Sequence, residues 1–293
     1  MTNSVRTGLL FSVIANVIWG LFPIFWSWLD GISAVDLVSH RIVWAFAFSI
    51  LFVFGRIAWT DRSKRAARLA LFSDSKTWLL HAAAAILITL NWLAFLWAVT
   101  NDRVLHSALG YYINPLFNVL LGVLVLGERL SKGRWVAIVI ATVGVAVLSY
   151  ATGEIPWVSL LMASSFAGYA FVKKHASLDA LDGLAIEMSV IVAPTLIYLC
   201  FFLDPAKGFF IREGTQTAVL LIIGGLMTLT PLMFFSAATR RIPLSLVGMM
   251  QYVGPTLQFL VGVLYFEEKL SPLRLFGFVI VWLAVILFMS RRD

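Results

Sequence analysis

YINPLFNVLLGVLVLGERLS, residues 112–131, returns 140 positions later as YVGPTLQFLVGVLYFEEKLS, residues 252–271. Tyr112 pairs with Tyr252, Pro115 with Pro255, and Gly122, Val123 and Leu124 with Gly262, Val263 and Leu264. Glu128 pairs with Glu268, Leu130 with Leu270, Ser131 with Ser271, and Arg134 with Arg274. Asn118 answers to Gln258, and Arg129 to Lys269. Hydrophobic bias alone does not place proline, glycine and glutamate in the same register, so the chain contains two copies of one unit. A weaker match at an offset of 147 sets DLVSHRIVW, from Asp36, against GLAIEMSVI, from Gly183, and places His40 opposite Glu187.

The medium in which the unit folds follows from composition. Of 293 residues, 61% are hydrophobic and only 13% are charged, against about 45–50% and about 25% in soluble domains. The excess faces lipid. A bilayer core takes about 20 apolar residues per helix, and ten segments fit: 8–29, 34–55, 76–99, 104–126, 133–150, 155–173, 183–203, 216–238, 244–266 and 271–289. The first run carries Trp19, Pro23, Trp26 and Trp28 where a signal peptide needs small residues, so it reads as a retained span. The expected fold is all-α and polytopic, with ten transmembrane helices in two five-helix repeats, residues 1–150 and 151–293.

Charge sets the expected orientation. With the N-terminus in the cytoplasm, 16 Lys and Arg fall inside, with the densest cluster at Arg56, Arg62, Lys64, Arg65 and Arg68. Five fall outside, namely Arg103, Lys207, Arg212, Lys269 and Arg274. The bias places both termini in the cytoplasm of a bacterial-type inner membrane. The net charge of +7 therefore reflects membrane orientation, not nucleic-acid binding. Five spans per copy is an odd number, so the second copy is inverted, an arrangement concentrated in transporters and channels.

Several chemistries are expected to be absent. Cys200 is the single cysteine, and His40, His81, His106 and His175 are scattered, so no metal site or disulfide is expected. No cofactor is called for, and no GxxxxGK loop followed by Ser or Thr points to ATP. A clustered nucleophile and base near an interface, as a membrane enzyme needs, is not found.

Residues 17–25 (VIWGLFPIF), 39–44 (SHRIVW), 91–99 (NWLAFLWAV), 107–122 (SALGYYINPLFNVLLG), 183–187 (GLAIE), 230–245 (TPLMFFSAATRRIPLS) and 251–260 (QYVGPTLQFL) carry a family likeness. The chain resembles the drug/metabolite transporter superfamily in its EamA-type group, RarD subfamily, from about residue 8 to 289. That resemblance implies two inverted repeats around a central substrate cavity and no nucleotide hydrolysis.

An ionisable group at mid-bilayer costs about 2.5 kcal/mol or more, which makes intramembrane charges the first candidates. His40 and Glu187 are read as substrate-binding and proton-coupling residues, and Arg41 as substrate-binding unless it snorkels or pairs structurally. Asn91 and Trp92 are candidates deep in the third span; Asn91 can equally join two helices, at about 0.6–2 kcal/mol. Tyr111, Tyr112, Asn114, Gln251, Tyr252 and the mid-span Trp19 complete the expected binding set. Pro115, Pro231 and Pro255 each free a backbone carbonyl and are candidate hinges or static kinks. Glu128 and Glu268 read as surface ion pairs with Arg129 and Lys269. The stripe Ala137, Ala141, Gly144, with Gly277 and Ala284, serves either internal packing or a homodimer face.

The expected function is a secondary transporter of a small molecule by alternating access, in its preferred form proton-coupled export. An uncoupled facilitator or uptake carrier is the alternative, and a structural or regulatory membrane protein a more distant one.

Overall fold

The computed structural model describes residues 3–29, 31–59, 72, 74–101, 104–150, 157–202, 214–267 and 272–291, and these are almost entirely helical. In order they are α1 (Asn3–Ser27), α2 (Ala34–Ala58), α3 (Ser75–Thr100), α4 (Val104–Leu124), α5 (Lys132–Tyr150), α6 (Trp157–His175), α7 (Ala180–Phe201), α8 (Gly214–Thr239), α9 (Leu244–Met250), α10 (Val253–Leu264) and α11 (Pro272–Ser290). Among the described residues, seven stretches are long and apolar enough to cross a membrane, counting Leu244–Leu264 as one span across its break.

The distribution of polarity is that of a protein in lipid. Phe54, Leu79, Ile86, Val139 and Ile286 are exposed, whereas Asn16, Ser49, Asn118, Lys173 and Glu187 are buried. Backbone polar groups have no water to turn to at this depth, and helices satisfy them internally. Helix starts are capped by local side chains. Ser33 accepts from the Asp36 N–H, Asp74 from Thr77 and Asp179 from Asp182. The hydroxyl of Thr77, reinforced by its N–H, holds the exposed Asp74 carboxyl below its ordinary range.

The duplication is visible in the packing. α1 lies against α8 and α10, and its counterpart α6 lies against α3 and α4. α2 packs on α7, α4 on α9 and α5 on α11, each pairing a helix with its own copy. The halves are therefore interleaved. Close crossings depend on absent side chains: a Cβ on Gly248 would sit 2.6 Å from the Pro115 carbonyl, so α9 can approach α4 this closely only with glycine there.

The ninth span is broken, which the sequence reading did not anticipate. Pro255 has no N–H for the Gln251 carbonyl, and the Gly254 N–H donates to that carbonyl at 3.2 Å instead. The chain passes through a tight turn at Gln251–Tyr252 before α10 resumes. Pro115 and Pro231 lie inside continuous helices.

Two structural expectations are corrected or settled. Glu128 does not pair with Arg129. Its carboxylate accepts from the N–H groups of Leu244 (2.6 Å) and Ser245 (2.9 Å) and from the Ser245 hydroxyl (2.6 Å). The residue before α9 is Pro243, which makes no side-chain cap, so Glu128 caps that helix from the α4–α5 turn and complements its dipole. Glu268 and Lys269 lie outside the described residues. The small-residue stripe is used internally: a Cβ on Gly144 would meet Val281 at 2.9 Å, and one on Gly277 would meet Leu148 at 2.7 Å. Ala137, Ala141 and Ala284 are fully buried in the same contact.

Candidate functional site

A partly open cavity of about 440 Å³ lies between the two halves. Its walls come from the ends of α1, α2, α3 and α4 remote from both termini, from α6 and α8, and from the broken span. Aromatic walls come from Trp19, Trp26, Trp92 and Tyr111. Polar atoms come from Asn16, Asn91, Asn114, Gln251, Gln258 and Thr228. Among the described residues, Arg41 is the single charged residue in the lining, with no carboxylate and no histidine beside it.

Arg41 enters from the second turn of α2. Its Nε–H donates to the Thr228 hydroxyl at 2.9 Å, and Thr228 in turn donates to the Gly224 carbonyl one turn back. The guanidinium carbon stands 5.0 Å from the Trp26 ring and 5.5 Å from Trp92, within the range where an aromatic face attracts a cation. Arg41 thus turns inward rather than snorkelling to the interface.

The amides are tied into the walls. Asn91 donates to the Met162 carbonyl at 2.8 Å and so ties α3 to α6 at the cavity wall. Asn118 donates to the Gln251 side-chain oxygen at 2.5 Å, holding the turn of the broken span against α4. Gln258 donates to the Trp19 carbonyl at 3.1 Å.

The floor is aromatic. Trp19 contacts Phe166 at 5.7 Å and Phe235 at 5.5 Å between ring centroids. Trp19 and Phe166 are 147 residues apart, the spacing that relates His40 to Glu187. Behind them Tyr169 stacks on Phe235 at 6.4 Å, and both are fully buried.

Glu187 lies behind this floor, not in the cavity. Its Oε1 accepts from Lys173 Nζ at 2.5 Å and lies 2.7 Å from His81 Nδ1; its Oε2 accepts from the Tyr169 hydroxyl at 3.0 Å. All four residues are at most 1% exposed. The Lys173 charge matches the Glu187 charge, and a carboxylate with three partners is the form in which a buried charge is tolerated. His81 Nε2 is buried without a partner. Toward the termini, Arg56 pairs with Asp179 at 2.8 Å and with Asp182, and Lys174 donates to the carbonyls of Thr239 and Ile242 at the end of α8. Among the described residues these contacts close this end of the molecule.

Of the residues expected to bind, Trp19, Arg41, Asn91, Trp92, Tyr111, Asn114 and Gln251 line the cavity, as does Pro255 among the hinge candidates. His40, Tyr112, Glu187, Tyr252, Pro115 and Pro231 do not. Tyr112 donates to the Pro255 carbonyl at 3.4 Å, and Tyr252 is 2% exposed with a buried, unpartnered hydroxyl. Sequence reasoning missed Asn16, Trp26, Thr228 and Gln258 in the lining and His81, Lys173 and Tyr169 around Glu187. Polar side chains within the predicted spans were the available signal for most of them.

An interleaved, inverted helical bundle around a polar-and-aromatic cavity is the architecture of a membrane transporter. The EamA-like transporter family matches residues 6–150. Protein RarD of Streptomyces exfoliatus is 40% identical over 97% of this chain and 89% of its own length. Protein RarD of Escherichia coli is 34% identical over 97% and 94%. An uncharacterized transporter, YojE of Bacillus subtilis, is 37% identical over 97% and 93%. A crystal structure only 13% identical shares the fold, with a TM-score of 0.73 over 96% of this chain and 98% of that one. The chain belongs to the EamA-like transporter family, in its RarD subfamily. It is a multi-pass membrane transporter.

Proposed function

We propose that the chain is a secondary transporter that carries a small molecule through the Arg41 cavity by alternating access, in the export direction and against an inward flow of protons. The observation that carries this reading is the asymmetry of the two ends. One end holds a cavity; the other is closed by an aromatic floor and the Glu187–Lys173–His81–Tyr169 cluster. In an inverted duplication the halves can exchange conformations, which closes the first end and opens the second. The repeats are 1–150 and 151–293, and the match of the family over 6–150 supports that division. Both termini are cytoplasmic, on the strength of the basic bias, so the cavity faces outward.

Proton movement is assigned to Glu187 with His81, which would meet water only when the closed end opens; His40, opposite Glu187 in the repeat, is the second candidate. The test is flux in proteoliposomes under an imposed pH gradient. Flux that follows the gradient supports coupling, and flux indifferent to it removes coupling. Among the described residues the cavity lining holds no carboxylate or histidine, which favours one second reading, an uncoupled facilitator or uptake carrier. Counterflow without a gradient separates the two.

A further inference from the structure

We infer that the cavity selects small organic carboxylates with an aromatic or apolar body, and that Arg41 is the residue that selects them. The inference rests on the transport reading for its meaning, but the site is defined by its own geometry.

Among the described residues, Arg41 is the only formal charge in the lining, and no carboxylate lies within ion-pair distance of it. Its contacts are one hydrogen bond, from Nε–H to Thr228, and the faces of Trp26 and Trp92. A guanidinium has five N–H donors. Among the described residues the four on the two Nη atoms have no acceptor, and the Nη atoms are not among the fully buried unpartnered ones.

An uncompensated cation inside a membrane is costly and faces a cavity or a partner. Here Thr228 takes up the Nε–H, and the Nη groups of this lining residue are left for a ligand. That planar edge matches a carboxylate bidentately, where a lysine ammonium would not. The remaining walls are aromatic and aliphatic, with a few amides. A volume of about 440 Å³ lies in the range of sites that hold one small organic molecule. An organic cation would meet Arg41 with no countercharge in the lining. A neutral ligand would leave the guanidinium unpaired.

The experiment uses purified full-length protein in phosphatidylcholine nanodiscs, with the heat of binding by titration calorimetry as the signal. The probes are phenylacetate and indole-3-acetate, their neutral amides, and phenethylammonium. Both carboxylates are expected to bind, with the amides about 10- to 100-fold weaker, as the loss of a charge-assisted hydrogen bond implies. Phenethylammonium is expected not to bind. Arg41→Gln should equalise acid and amide, while Arg41→Lys should restore part of the preference. Equal binding of acid and amide to the wild type, a preference retained in Arg41→Gln, tighter binding of the cation, or no response to either carboxylate each overturns the inference. Loss of the carboxylate signal on changing to phosphatidylglycerol discs would assign the site to a lipid phosphate and also overturn it. Proteoliposome flux is measured separately, so a failed binding preference does not touch the transport reading, and absent flux does not touch the binding result.

Discussion

The Nε–H of Arg41 reaches the hydroxyl of Thr228 at 2.9 Å, across the α2–α8 contact. The counterpart contact in the duplication, α7 against α3, joins Glu187 to His81 at 2.7 Å. One charged node looks into a cavity, and the other is sealed. Thr228→Val removes the bond that orients the guanidinium. Carboxylate binding should weaken by about fivefold, one hydrogen bond's net worth, with thermal stability nearly unchanged. Titration and melting of the same sample check both halves of that expectation.

Removing one member of the sealed node should be costly. Glu187→Gln leaves Lys173 buried without its counter-charge, a change worth about 3–5 kcal/mol of stability. Glu187→Gln combined with Lys173→Met removes both charges and should recover most of the loss. Thermal unfolding in detergent, followed by size-exclusion chromatography, measures both variants. A double variant no more stable than the single would mean that the pair does not act as a unit.

Glu128 gives a sharper local expectation. Glu128→Ala uncaps α9 and should cost about 0.5–2 kcal/mol. Arg129→Ala should be silent, because Arg129 is exposed and takes no part in the cap. Comparison of the two melting temperatures distinguishes a helix cap from a surface ion pair.

Gly277→Leu should wedge α5 from α11, since even a Cβ there meets Leu148 at 2.7 Å. Loss of thermal stability with an unchanged oligomeric state, read by light scattering, is the expected outcome. A change of oligomeric state with stability intact would place the stripe at a subunit interface.

Much of this architecture was legible in the chain. The ten spans follow from hydrophobicity, and the inversion from an odd span count plus the Tyr112 and Tyr252 repeats. Arg41, Asn91 and Trp92 stood out because a polar or charged group inside a span needs a reason. Glu187 stood out on the same ground, but which partners it meets is a long-range matter. His81 is 106 residues away and read as one scattered histidine. Lys173 ends α6 beside Lys174 and was absorbed into the basic bias of the loops. The break at Gln251–Tyr252 was hidden because Pro115, in the matched position, leaves its own helix continuous. A proline permits a break, and the surrounding packing decides whether one forms.

Alternating access is tested most directly by cysteine accessibility from the two sides of the membrane. In a Cys200→Ser background, Ala108→Cys lies in the cavity wall and Ala185→Cys lies buried near the sealed node. A membrane-impermeant maleimide applied outside should label Ala108→Cys at rest, and applied inside should leave Ala185→Cys unlabelled. Under a pH gradient with substrate, the first labelling rate should fall as the second rises. Two rates that stay fixed, or that rise together, while flux continues would contradict a carrier whose ends open in turn.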